Sequence, residues 1–261
     1  MRLLLPAVAI LAATGTPARA DDPSESRVLT APTAWLPPAG GMVVTATLDH
    51  RFDGSAVVGY SLGGLASIDV GTDADVRSCE TCDRDAEPLF LGRAGFRMGV
   101  RQGRIFRGSP AMLVGVRTTF ANQGRVGDVT VSEAYLVASR ELGPVKLHAG
   151  AQAVDAAMGG VELGVKLRPI AGVEWTPGQY PNTTVLADIA YVPLLRHGLG
   201  EVGLEWIGGV GVRYNALRDW GAIELAVRVR EDEGLGDTTV MVRLNGVIDP
   251  AHPFGKKPKN H

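Results

Sequence analysis

Arginine recurs at every fourth position in Arg93-Ala94-Gly95-Phe96-Arg97-Met98-Gly99-Val100-Arg101, with glycine midway between each pair. Side chains alternate across an extended strand, so one face reads Arg, Gly, Arg, Gly, Arg and the other Ala, Phe, Met, Val. Clustered guanidinium groups bind phosphate, carboxylate or acidic sugars, or else pair with carboxylates of the chain itself. Arg117 extends the cluster, because Gly115, Arg117 and Thr119 oppose Met112, Val114, Val116 and Phe120. Arg93, Arg97, Arg101 and Arg117 are the candidate ligand-contacting residues, for a small anionic solute or an acidic saccharide.

Two other groupings have the letters of a reactive site. Gly59-Tyr60-Ser61-Leu62-Gly63 fits the G-x-S-x-G nucleophile elbow. That chemistry needs a strand, a sharp turn and a helix, with an acid and a histidine to follow. Leu65 to Val70 continues instead with strand character, and nothing marks His148 or His197 as a base. His50, beside Asp49 late in the first strand, reads as an interfacial residue. No catalytic residue and no cofactor is assigned. Cys79 and Cys82 are the only cysteines. In an exported chain they read as a disulfide; a redox motif would need a βαβ context, and a metal site further Cys or His ligands. Asp73, Asp75, Glu80, Asp83, Asp85 and Glu87 around them read as a solvated acidic loop, and no metal ligand is assigned.

Export is written at the N-terminus. Arg2, the apolar stretch Leu3–Ala13 and Ala18-Arg19-Ala20 form a signal peptide over 1–20, with the mature chain starting at Asp21. No later segment offers the ~18 uninterrupted apolar residues of a membrane helix. A net charge of −2 over 261 residues gives no reason to expect nucleic acid. The 34 glycines and the absence of long helical periodicity point to many short strands with tight turns.

The elements that must position the arginines are strands. Met42, Val44, Ala46 and Leu48 alternate with Thr45, Thr47 and Asp49, followed by a turn at Asp53-Gly54. A second strand carries Val58, Tyr60, Leu62, Ala66, Ile68 and Val70 against Gly59, Ser61, Gly63, Ser67 and Asp69. Gly143-Pro144 divides a further pair of strands. Val161 to Leu167 alternates with Glu162, Gly164, Lys166 and Arg168, and comparable runs cover Thr184–Tyr191, Ile223–Val229 and Val240–Asn245. The expectation is an all-β fold, a transmembrane antiparallel up-and-down β-barrel of about 10–12 strands over 42–249. An N-terminal periplasmic segment (21–41) would precede it and a polar tail (250–261) follow. Lumenal arginines would then be met by Glu133, Glu162, Asp188, Glu205 and Glu224, and the arginine face would line the pore. Trp175, Trp206, Trp220, Tyr60, Tyr180, Tyr191 and Tyr214 lie near strand ends, as aromatic girdle residues would. Such a protein is structural or a narrow channel, in contact with outer-membrane lipid and with the outer-membrane assembly machinery. The alternative is a soluble periplasmic β-sandwich that binds a partner.

Leu29-Thr30-Ala31-Pro32-Thr33-Ala34-Trp35-Leu36-Pro37-Pro38-Ala39-Gly40 resembles the opening of the YjbH-like outer-membrane proteins associated with exopolysaccharide loci. Arg168-Pro169-Ile170-Ala171-Gly172-Val173-Glu174-Trp175 is similar to a second run in that group. The resemblance implies an outer-membrane β-barrel. This chain is much shorter than the large members, and a polar tail rather than a terminal aromatic residue follows its last strand.

Overall fold

The computed structural model describes residues 27–50, 54–72, 76–79, 91–123, 127–216, 221–231 and 238–248. The expected signal peptide and polar tail, Cys82 with its expected disulfide, the acidic loop residues and Trp220 lie outside these.

The strands run β1 (Met42–Asp49), β2 (Gly54–Leu62), β3 (Ala66–Thr72), β4 (Arg77–Cys79), β5 (Gly92–Val100), β6 (Ala111–Gln123) and β7 (Gly127–Leu142). Then follow β8 (Val145–Met158), β9 (Val161–Glu162), β10 (Lys166–Trp175), β11 (Thr183–Arg196), β12 (Glu201–Tyr214), β13 (Gly221–Arg230) and β14 (Thr239–Ile248). Leaving aside the short β4 and β9, each strand pairs antiparallel with the next in the chain, and β14 pairs with β1. The sheet therefore closes on itself as a 12-strand barrel. Closure removes the sheet edges that an open sandwich must protect. The two-sheet sandwich is thereby excluded.

Period-two alternation persists through the ladder because paired residues on neighbouring antiparallel strands face the same side. Thr45 opposes Val57, Gly59 opposes Asp69, Asp69 opposes Gly95, and Gly95 opposes Arg117, all on the inner face. Two expected strands are divided. The run Val58–Val70 is a hairpin, with Gly63 and Gly64 at φ +66° and +70° turning β2 into β3. Leu62 and Ala66 pair across that three-residue turn, so the apolar residues stay on one face, and alternation alone reads straight through it. The run Val161–Arg168 breaks at Gly164 (φ +66°), which separates β9 from β10.

The interior is filled at three levels. Where β1 begins and β14 finishes, Ala34 packs with Ala111, Leu113 and Val137. In the middle, Val28 and Leu29 pack with Leu186, Ala226 and Met241, and Ala31 with Ile170, Ala190 and Ile207. At the far end, Val76 and Leu91 pack with Val129, Val131, Val154, Met158 and Leu195. The described part of the segment expected on the periplasmic side is thus inside the barrel. The expected periplasmic placement of 21–41 does not hold for these residues, because Val28 and Leu29 are apolar and are buried in the lumen.

Candidate functional site: an arginine-lined lumen and its internal segment

The arginine strand faces inward as its pattern requires. Arg93 donates to Asp69 Oδ1 from Nη2 at 2.7 Å, and Arg97 Nε donates to Ser67 Oγ at 3.2 Å. Arg117 Nε donates to Glu133 Oε2 at 2.7 Å. The intervening glycines make room for these partners. A Cβ at position 95 would lie 2.6 Å from Asp69 Oδ2, and one at position 115 would lie 2.5 Å from the Tyr135 hydroxyl. A lumenal cavity of about 70 Å³ is lined by Arg27, Arg93, Arg97, Arg117 and Arg243, with Asp69 as the lining carboxylate among the described residues. Its volume suits a few waters or a small ion, since one water needs about 10–15 Å³ on this measure.

Above the cavity sits the loop 27–32, closed by an Arg27–Pro32 bridge and a Val28 N–H to Ala31 carbonyl bond of 3.0 Å. Asp188 Oδ2 accepts the N–H groups of Leu29, Thr30 and Ala31 at 3.0, 2.6 and 2.7 Å. From β12 and β14, Arg213 Nη2 donates to the Arg27 and Val28 carbonyls, and Arg243 Nη2 donates to the Leu29 carbonyl at 2.6 Å. The barrel thus supplies donors and acceptors to backbone groups that would otherwise be buried unpaired. Gly172 and Gly209 complete the seat: a Cβ there would lie 2.7 Å from Val28 Cγ2 and 2.9 Å from Leu29 Cδ1.

These anchors are themselves braced. Arg213 donates to Glu224 Oε1 at 2.7 Å and to Glu174 Oε2 at 2.9 Å, and Arg243 donates to Glu224 Oε2 at 3.1 Å. Pairing of this kind is what makes burial of a charge tolerable. Ser139 Oγ accepts the Ala34 N–H at 2.7 Å and lies 2.8 Å from His148 Nδ1, while His148 Nε2 lies 3.3 Å from Glu174 Oε1. These three residue types make hydrolytic triads elsewhere, but here Ser139 is fully buried and its oxygen is occupied by the internal segment.

The outer surface carries the other half of every alternation. Leu225, Val210 and Leu244 are 57%, 59% and 52% exposed, and Leu48, Ile68, Val114, Ile189 and Val242 are likewise outside. Tyr60, Trp175, Tyr180 and Tyr214 gather at the end where the strand path begins and finishes. Apolar residues outside and paired charges inside a closed sheet invert the arrangement that water demands. The chain is an outer-membrane β-barrel.

No family model matches the chain, and neither does any curated protein. Among solved structures, the barrel is similar to the KdgM porin in complex with disordered oligogalacturonate, at 8% identity, TM-score 0.49, covering 79% of this chain and 98% of that one. OmpT of Vibrio cholerae gives 8% identity, TM-score 0.41 and coverage of 80% and 97%. OprD of Pseudomonas aeruginosa gives 11% identity, TM-score 0.39 and coverage of 80% and 66%.

Within this outer-membrane barrel, Arg93, Arg97 and Arg117 meet at one cavity. Arg101 does not join them: it follows β5, beside Gly64 at the barrel mouth. Glu133, Glu205 and Glu224 pair with arginines as expected, to Arg117, Arg230 and Arg243. Asp188, expected as another such partner, is instead turned to the backbone of the internal segment. Ser61 donates to the Pro37 carbonyl at 3.0 Å, and the turn after it enters β3 rather than a helix. His50 Nδ1 accepts the Val240 N–H at 3.1 Å beyond the end of β1. Arg213, Glu174, Ser139 and His148 were missed as site residues. The period-two pattern marks them as lumenal, but no spacing shows that they converge on residues 27–34.

Proposed function

We propose that this barrel is a narrow, anion-selective channel of the outer membrane, held shut by its own residues 27–36. The observation that carries the reading is the cavity beneath the segment, lined among the described residues by Arg27, Arg93, Arg97, Arg117, Arg243 and Asp69, with Glu133 and Glu224 pairing to Arg117 and Arg243 from beside it. A focused positive potential in a low-dielectric lumen favours small anions over cations. At this volume the closed form suits an ion of phosphate or carboxylate size, and an acidic saccharide requires the segment to leave. The reading gives the protein no catalytic role. The test is planar-bilayer recording of the purified protein beside Asp188→Ala, which removes the acceptor for three backbone N–H groups. More frequent anion-selective openings in the variant support a plugged channel. Silence in both, with the barrel still folded, would overturn the channel and leave a structural role, which the four packed interior clusters favour.

A further inference from the structure

The ladder of hydrogen bonds around the barrel is interrupted between β10 and β11. β11 pairs with β12 from Thr183 to Arg196, but with β10 only from Val185 to Ile189. Continuing that register would oppose Ile170 to Ala190, Pro169 to Tyr191, Arg168 to Val192 and Leu167 to Pro193; none of these pairs forms. Pro169 and Pro193 both lie in the interrupted stretch. Lacking an N–H, proline is confined to sheet edges, so the two residues keep this stretch from zipping. Lys166 to Ile170 remain paired with β8, while the freed edge of β11 takes β4 in parallel at Leu194–Arg196.

The separated strands overlap. Arg168 faces inward with its register partner Gln152, whereas Tyr191 lies on the face of β11 opposite Asp188 and Ala190. Even so, the Arg168 guanidinium lies 5.6 Å from the Tyr191 ring centroid, and Gln152 Nε2 donates to the Tyr191 carbonyl. An inward side chain meets an outward one only where the far half of β11 passes inside the β8–β10 wall. Leu195 agrees, because it shares the face of Tyr191 yet packs fully buried with the inward residues Val131, Val154 and Ala156. The Gln152 amide supplies the donor that a paired strand would have given.

We propose that this overlapped seam is a lateral portal through which the acyl chain of a single-chain anionic amphiphile passes from the lipid phase into the far end of the barrel. Elsewhere around the wall, parting two strands breaks a ladder of backbone bonds. Here no β10–β11 backbone pair is broken: what parts is the Arg168–Tyr191 contact, the Gln152 bond to the Tyr191 carbonyl and the packing of Leu195 against Val131, Val154 and Ala156. Leu167, 68% exposed, opens onto lipid outside. Ile170, Val192, Val154 and Leu195 offer an apolar lining within. Lys166 and Arg168 at the rim supply the charge for a carboxylate head group.

The test reconstitutes the full chain in phosphatidylcholine vesicles containing a diazirine-bearing palmitic acid, with photolabelled residues mapped by mass spectrometry. Label is expected at Ile170, Val192 or Leu195 in addition to exterior positions such as Val114 and Leu225. Label confined to the exterior overturns the portal. P169V/P193V, which restores two donors to the seam, is expected to lose the internal label and keep the external one; retention of both overturns the portal. Should that variant fail to show heat-modifiable migration, Arg168→Glu serves instead. Its internal label from the fatty acid should fall while label from a diazirine alkyl alcohol persists, and an unchanged fatty-acid label overturns the anionic assignment.

Discussion

Asp188 and Thr30 meet in the middle of the barrel, where the carboxylate Oδ2 accepts the Thr30 backbone N–H at 2.6 Å. The same oxygen also takes the N–H groups of Leu29 and Ala31. One side chain of β11 thereby holds three consecutive peptide units of a segment more than 150 residues away in the chain.

Removal of that carboxylate should release the segment. Asp188→Ala leaves three buried donors unpaired, at about 1–3 kcal/mol for each one that cannot rearrange. A cysteine placed at Thr30, which is buried in the native barrel, should then react with a water-soluble maleimide much faster than in the Asp188 parent. Equal reactivity would show that the segment stays seated without its anchor.

The glycine seat gives a steric counterpart. Gly209→Val places a branched side chain where even a Cβ would lie 2.9 Å from Leu29 Cδ1. The expected outcome is displacement of Leu29 and the same gain in Thr30 accessibility, with heat-modifiable migration retained. A barrel that fails to fold would instead make Gly209 a requirement of the wall.

Selectivity should follow the arginines. Arg97→Glu turns one of the five lining cations into an anion and adds to Asp69. In the Asp188→Ala background, the reversal potential across a chloride gradient should shift toward cation preference. Arg101→Glu, at the mouth beside Gly64, should shift it less. Equal shifts would place the selective constriction elsewhere.

The Glu224 hub should dominate stability. Its carboxylate takes Arg213, Arg243 and Asn245 at once, fully buried. Glu224→Ala takes a carboxylate from Arg243 and leaves Arg213 with Glu174 in place of two carboxylates, and breaking a buried pair from one side costs about 3–5 kcal/mol. A clearly lower urea midpoint for unfolding from detergent or lipid is the expected result, and an unchanged midpoint would mean that water replaces the carboxylate.

The outer face should reject charge. Leu225→Arg, on the lipid-facing side of β13, should cost about 2–4 kcal/mol if it lies near the bilayer midplane. Folding yield into vesicles measures it, with Ala226→Ser on the opposite face of the same strand as the milder comparison.

Alternation along single strands was enough to read an all-β fold of two-faced strands from the sequence, because it specifies two chemically distinct faces whatever the partner strand. Arg93, Arg97 and Arg117 were legible as one face for the same reason. The residues of the internal seat were not, since Asp188, Arg213 and Gly209 are ordinary inward positions until a segment without periodicity is laid against them. The hairpin at Gly63-Gly64 was also hidden, because a turn of odd length leaves the alternation in phase.

The sequence by itself determined that the strands carry an apolar and a charged face, and that Arg93, Arg97 and Arg117 would share the charged one. Only the tertiary structure decided that the sheet closes, that residues 27–34 fill it, and that β10 and β11 part company beyond the Ala171–Ile189 pair. The physical reason is that face is a local property, set by a period of two residues. Closure, occupancy of the lumen and an unzipped seam depend on register between strands far apart in the chain, which no local pattern encodes.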